Sequence, residues 1–295
     1  MGTSAFGAFR AYAHRGGSHE SPENSLAAFR HATALGFTYL ETDIRPTRDG
    51  VAMVHHDAHL ERTTDGRGLV RDRTWQEMRS VRLSDGTTPL RLEELLEEFP
   101  DAHITVDAKE TGSVVALIDA VRRSSASDRV CVSSFSARRL IRARRLLPPG
   151  TESSAHPWEV LALSASPSRL PRPRLVTRSV VEMCHPEASF DRRTPPVDRA
   201  GTGDRVRGRV CRCSPLALPR AHRVQVPLRA LGLPLMGPGF VTRAHRQGLA
   251  VDVWTVDDAS DMHRLLDMGV DGIMTDSPSV LRAVLESRAQ WPSVR

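Results

Sequence analysis

A chain of 295 residues, 40% hydrophobic and 26% charged, has the composition of a globular protein, and its length suits one α/β barrel, which commonly needs about 250 residues. It contains no run of roughly 20 apolar residues, so stable membrane insertion is not expected. The net charge of +6 comes from arginines spread along the chain without an aromatic-interleaved basic motif, and no nucleic-acid partner is expected.

Residues Met1 to Arg10 lack a basic patch followed by an apolar run and a small-residue cleavage site, so a cytoplasmic location is the expectation. The four cysteines, Cys131, Cys184, Cys211 and Cys213, are too few and too irregular for a disulfide framework. Cys184-His185 with Cys211-x-Cys213 matches no common zinc spacing. Nothing in the chain fixes an oligomeric state.

Nine short apolar or alternating runs read as strands: Ala11 to His14, Thr38 to Asp43, Val51 to His55, His103 to Asp107, Val130 to Ser133, Glu152 to Ser154, Arg223 to Val226, Leu249 to Thr255 and Asp271 to Thr275. Helical patterns fall between them at Ser25 to Leu35, Leu92 to Glu98, Val114 to Arg123, Ala137 to Leu147 and Ser260 to Met268. In the first, Leu26, Phe29 and Ala34 are expected on one apolar face, with Gly36 as the stop. Only Arg45 to Gly50 separates the second strand from the third, far too short for a parallel crossover, so Val51 to His55 should return antiparallel. The remaining eight strands thread into a (β/α)8 barrel, an α/β fold of the TIM type.

Residues 57–90 are too long for a plain βα loop and predict a small insertion over the barrel mouth. Residues 157–221 are dense in Arg, Pro and Ser with weak apolar periodicity, and predict an irregular, poorly folded segment. They read as an insertion or as the product of a disturbed reading frame, since strand-like sequence resumes at Val224-Gln225-Val226-Pro227.

Glu41-Thr42-Asp43 ends an apolar run, and residues two apart on a strand share a face, so two carboxylates converge. Hard oxygen donors at a strand end suit Mg2+ or Ca2+ better than zinc. Solvated charges on an edge strand are the plain alternative. The same grammar recurs at Asp107-Ala108-Lys109, either a metal ligand with a phosphate-binding cation or a simple strand-end ion pair. His14-Arg15-Gly16 follows the first strand, and His55-His56-Asp57 closes the hairpin arm, bringing a second imidazole near Glu41 and Asp43. Nearly all of these residues fall at C-terminal strand ends, the face where barrel active sites lie. His19, His55 and His59 have no assigned work and read as solvated loop residues.

Ala13-His14-Arg15-Gly16, Pro22-Glu23-Asn24-Ser25, Glu41-Thr42-Asp43, Asp49-Gly50, His56-Asp57, Asp107-Ala108-Lys109, Trp254-Thr255-Val256 and Thr275-Asp276 resemble, in order and spacing, the glycerophosphodiester phosphodiesterase family. The resemblance covers residues 11–155 and 222–285. It implies metal-dependent hydrolysis of small-molecule glycerophosphodiesters to glycerol 3-phosphate and an alcohol, through a cyclic phosphate. It further implies His14 and His56 as acid and base, Glu41, Asp43 and Asp107 as ligands to Mg2+ or Ca2+, and Arg15 and Lys109 as phosphate-binding cations. Glu23 resembles part of a polar pair at the mouth, with helix capping as its plain alternative, and Trp254 an aromatic wall for the substrate, with ordinary packing as the alternative.

The chain departs from the resemblance at Asp107, where the family often carries Glu, and through residues 157–221. The competing expectations are a related lipid-cleaving phosphodiesterase, or a pseudoenzyme retaining only a phosphate pocket.

Overall fold

Eight parallel strands curl into a barrel in the order Glu152–Ser153 (β6), Val130–Ser133 (β5), His103–Ala108 (β4), Tyr39–Pro46 (β2), Arg10–His14 (β1), Gly272–Thr275 (β11), Ala250–Trp254 (β10) and Arg223–Pro227 (β7). The computed structural model describes residues 7–164, 221–230, 233–234, 236 and 238–291. These all belong to one compact unit, Met1–Pro171 with Ala221–Arg295. The seam between β6 and β7 is joined by a parallel bridge from Ser154 to Arg223, with His222 N donating to Ser153 O at 2.9 Å and Ala155 N to Arg223 O at 2.6 Å.

Ala52–Val54 (β3) pairs antiparallel with β2, as its short linker requires. Two further short strands, Arg229–Ala230 (β8) and Leu233–Pro234 (β9), form a hairpin after β7. The outer layer comprises Leu26–Ala34 (α1), Leu92–Glu98 (α3), Ser113–Arg123 (α4), Ala137–Leu146 (α5), Pro157–Ser164 (α6), Pro238–Arg246 (α7), Ala259–Asp267 (α8) and Pro278–Ser287 (α9). The short Trp75–Met78 (α2) lies in the insertion.

In α1 the buried face is Ala28, Phe29 and Ala32, while Ala34, expected on that face, is exposed. A residue five beyond Phe29 has turned about 140° away on a 3.6-residue helix, which carries Ala34 off the stripe. Ser25 caps this helix by accepting from Ala28 N at 3.1 Å, leaving Glu23 outside the cap. Gly36 takes φ +88°, the left-handed conformation that ends the helix without a Cβ penalty.

The insertion packs Leu60, Val70, Met78 and Val81 with Met53 of β3 in an apolar cluster separate from the main core, and α2 begins with a capping box between Thr74 and Glu77. Within 157–221, which was expected to be irregular, residues 157–164 form α6, and residues 165–220 lie outside the described residues. Arg144 of α5 anchors this junction, donating to Ser153 Oγ at 3.0 Å, Ser154 O at 2.5 Å and both oxygens of Glu159 at 2.9 Å. Cys131 is a buried free thiol pushed up to about 12 by burial. Cys184, Cys211 and Cys213, with the weighed zinc pattern, lie outside the described residues.

The two barrel ends differ in chemistry. Near the N-terminal strand ends, Arg223 forms a forked, fully buried pair with Asp252, and Tyr12 donates to the same carboxylate at 3.4 Å. The C-terminal ends of β1, β2, β4 and β11 carry the motif residues, with His14 level with Glu41 and Asp43 level with Asp107 across the sheet.

Candidate active site

His14 ends β1, where its imidazole is held from two sides. Nδ1 lies 2.8 Å from Asp276 Oδ1, one residue past β11, and Nε2 lies 3.7 Å from Glu41 Oε2. The Asp276 carboxyl is held below its ordinary range: burial opposes this, and the hydrogen bond and charge of His14 outweigh burial. An ionised carboxylate only accepts, so the hydrogen is on His14 Nδ1. Burial disfavours imidazolium at His14, but Glu41 and Asp276 overcome it and raise its pKa.

His56 follows the β2–β3 hairpin with the same arrangement. Its Nδ1 lies 2.6 Å from Asp57 Oδ1, whose carboxyl is depressed first by that hydrogen bond and then by Arg62. The backbone oxygen of His56 accepts from Arg45 Nε at 2.8 Å, and Arg45 is fixed by Glu110 at 2.6 Å. His55, expected on a solvated loop, is 3% exposed: its N donates to Asp43 O at 2.9 Å, its ring meets His59 O at 3.2 Å, and burial lowers its pKa. Closing the hairpin draws it inward. His19 and His59 are exposed, as expected.

The carboxylates beneath the histidines are almost out of solvent: Glu41 is 6%, Asp43 1% and Asp107 4% exposed. Lys109 Nζ lies 2.7 Å from both Asp43 Oδ1 and Asp107 Oδ2, and its pKa is raised because the two anions outweigh burial. Asp43 is driven well below the carboxylate range, with Lys109 and Arg15 overcoming desolvation. Glu41 moves the other way, pushed up to about 7 by burial and by the neighbouring Asp43 charge. Asp43 Oδ2 and Asp107 Oδ1 are buried without a hydrogen-bond partner. Arg15 Nε lies 2.9 Å from Asp43 Oδ2 but is not aligned for a hydrogen bond, so that contact is ionic.

Arg15 also reaches Glu23 at 3.2 Å, which gives Glu23 a pairing role in place of the weighed capping role. Asn24, with φ 57°, accepts from Thr42 Oγ1 at 2.8 Å, and its Nδ2 is buried without a partner. Trp254 ends β10, and its ring meets Phe135 edge-on at 5.4 Å, while Lys109 Nζ sits 5.4 Å from the Phe135 centroid. The structure thus gathers His14, Arg15, Glu23, Glu41, Asp43, His56, Asp107 and Lys109 into one linked set, with Trp254 joined to it through Phe135.

Sequence reasoning gave no role to Phe135, Arg62 or Arg45. Among the described residues, His19, Asp257 and Asp276 bring three possible ligand atoms within 4.8 Å of one another, outside the expected ligand set. Their contacts account for the grouping: Asp276 holds His14, Asp257 accepts from Thr275 Oγ1 and Asp276 N, and His19 meets Ser277.

Two aspartate-held imidazoles and three buried carboxylates at one end of a barrel are the features to set beside known proteins. A family model described as the Glycerophosphoryl diester phosphodiesterase family matches residues 14–280, and the chain belongs to that family, whose members are phosphoric diester hydrolases. It is 36% identical to a probable glycerophosphodiester phosphodiesterase 2 of Mycobacterium tuberculosis, over 95% of this chain and 92% of that protein. Among solved structures it resembles a putative glycerophosphoryl diester phosphodiesterase of Silicibacter pomeroyi (TM-score 0.67, 22% identity, 96% of this chain and 94% of that one). It also resembles an Oleispira antarctica phosphodiesterase in complex with the product sn-glycerol-3-phosphate (TM-score 0.65, 18% identity, 94% and 96% covered).

Proposed function

We propose that the protein hydrolyses glycerophosphodiesters to glycerol 3-phosphate and an alcohol. The observation that carries this reading is that both histidines have Nδ1 tied to an aspartate, His14 to Asp276 and His56 to Asp57. Each thereby keeps Nε2 for proton transfer, and imidazole suits that work near neutral pH.

One histidine takes the proton of the glycerol 2-hydroxyl as that oxygen attacks phosphorus, and the other, protonated, gives its proton to the departing alcohol. The product of this step is a cyclic glycerol phosphate. In the second step the now neutral histidine deprotonates water, and the protonated one returns its proton to the 2-oxygen. Both imidazoles end in their starting states. Arg15 and Lys109 supply positive charge for the phosphate, and the rings of Trp254 and Phe135 offer an apolar wall to the substrate carbons.

The donor chemistry fits a divalent cation. Glu41, Asp43 and Asp107 are hard oxygen donors, Asp43 Oδ2 and Asp107 Oδ1 are buried without a hydrogen-bond partner, and burial together with the Asp43 charge raises Glu41, a cost that a bound cation would offset. These three residues would hold Mg2+ or Ca2+, which when bound would neutralise charge developing on the phosphoryl oxygens. The substrate is a small molecule, and no described helix is long and apolar enough to cross a membrane.

The test compares glycerophosphocholine with its analogue lacking the 2-hydroxyl. The reading predicts glycerol 3-phosphate from the first, with a transient cyclic phosphate visible by 31P NMR, and no cleavage of the second. Equal cleavage of both would contradict it.

A further inference from the structure

Arg62 belongs to the insertion between β3 and β4, outside the motifs above, yet its guanidinium grips two carboxylates from different elements. Nε lies 2.5 Å from Asp57 Oδ2 and Nη2 3.1 Å from Asp57 Oδ1. Nη1 lies 2.7 Å from Glu23 Oε2 and Nη2 2.8 Å from Glu23 Oε1. Behind each carboxylate stands a residue of the site: Asp57 holds the His56 imidazole at 2.6 Å, and Glu23 holds Arg15 at 3.2 Å.

Arginine is the residue suited to this place, because its planar fork can meet two carboxylates bidentately where an ammonium offers a point charge. The side chain is half exposed, and exposed ion pairs contribute little to stability. The arrangement therefore does more to fix directions than to hold the fold.

We propose that Arg62 is a positioning residue of the active site: by clamping Asp57 and Glu23 together it orients the His56 imidazole and the Arg15 guanidinium at once. The inference rests on the functional reading above, in which His56 moves protons and Arg15 meets the phosphate. It makes the insertion a working part of the site, since a shift of the loop carrying Arg62 disturbs proton transfer and phosphate binding together.

The experiment measures kcat and KM for glycerophosphocholine, with Mg2+ or Ca2+, for the full-length wild type, Arg62→Ala and Arg62→Lys, with thermal midpoints beside them. The proposal predicts kcat lower by on the order of 100-fold in Arg62→Ala, the cost of misplacing a reacting group by about 1 Å, with KM raised. The thermal midpoint should move little. Arg62→Lys should recover part of the loss, and added guanidinium ion should restore activity to Arg62→Ala.

Unchanged kcat and KM in Arg62→Ala would overturn the proposal, as would a loss explained wholly by a lower midpoint and a smaller folded fraction. Two binding-level readings decide the claim even if the wild type is silent, an outcome that would sink the functional reading instead. Arg62→Ala should change the 15N shift of His56 Nδ1 and weaken binding of inorganic phosphate; no change in either contradicts the positioning role.

Discussion

His14 and Asp276 meet at 2.8 Å across 262 residues of sequence, and their contact joins the end of the first barrel strand to the segment that leaves the last. Asp276→Asn would remove the anion that fixes the His14 tautomer and helps raise its pKa. We expect kcat to fall roughly 10- to 100-fold, as when an imidazole loses its second partner. The His14 pKa, followed by NMR, should move down while the thermal midpoint changes little. A variant with wild-type kcat and an unmoved pKa would deny Asp276 this role.

Glu41 gives a pH dependence with a definite sign. Its folded-state pKa is raised, from an ordinary 4.5 to about 7, so between those values the folded protein binds more protons than the unfolded chain. Stability from this group is present below the unfolded pKa and is lost as pH rises through about 7. His14, also raised, acts in the same sense above its ordinary 6.5. Chelator-treated protein should therefore have a lower thermal midpoint at pH 8 than at pH 6. Glu41→Gln should recover on the order of 5 °C at pH 8 while abolishing metal-dependent turnover.

Lys109 is the cation shared by Asp43 and Asp107. Lys109→Met leaves two buried carboxylates without it, and breaking a buried pair from one side costs roughly 3–5 kcal/mol. Urea unfolding should show that loss in chelator and a smaller one with Mg2+ or Ca2+, which would take over the neutralisation. Equal losses with and without the ion would argue against these carboxylates as its ligands.

At the opposite end of the barrel, a Cβ at Gly272 would lie 2.3 Å from Asp252 Oδ1 and 3.0 Å from Arg10 O. Gly272→Ala must displace the Arg223–Asp252 pair or the backbone of β1, at a cost of roughly 1–3 kcal/mol. Because this end carries stability and the other carries chemistry, the denaturation midpoint should fall while kcat stays near wild type. A large kcat loss at unchanged stability would contradict that division.

Strand alternation made the carboxylates legible: Glu41 and Asp43 lie two apart on β2, Asp107 and Lys109 two apart at the end of β4, and each pair shares a face. The hairpin of β2 and β3 was legible because six residues leave no room for a crossover. Asp276 stood in a recognised motif, but its partnership with His14 depends on barrel closure, which brings β11 against β1. Arg62 reads locally as one more loop arginine; its role depends on Glu23 arriving from the β1–α1 loop, 39 residues away in sequence. His55 and His56 are adjacent and chemically identical, and only the hairpin geometry buries one and leaves the other partly exposed against Asp57. Helix α9 was not among the helices expected from the sequence, although Pro278 stands in its first turn and Leu281, Val284 and Leu285 form its buried stripe.

The most direct measurement is glycerol 3-phosphate release from glycerophosphocholine by the purified full-length protein, with Mg2+, Ca2+ or chelator, beside His14→Ala and His56→Ala. The account predicts turnover that requires the ion and falls at least 100-fold in each variant, with all three proteins equally folded. Turnover that survives either substitution, or a folded wild type that releases no glycerol 3-phosphate with either ion, would contradict it.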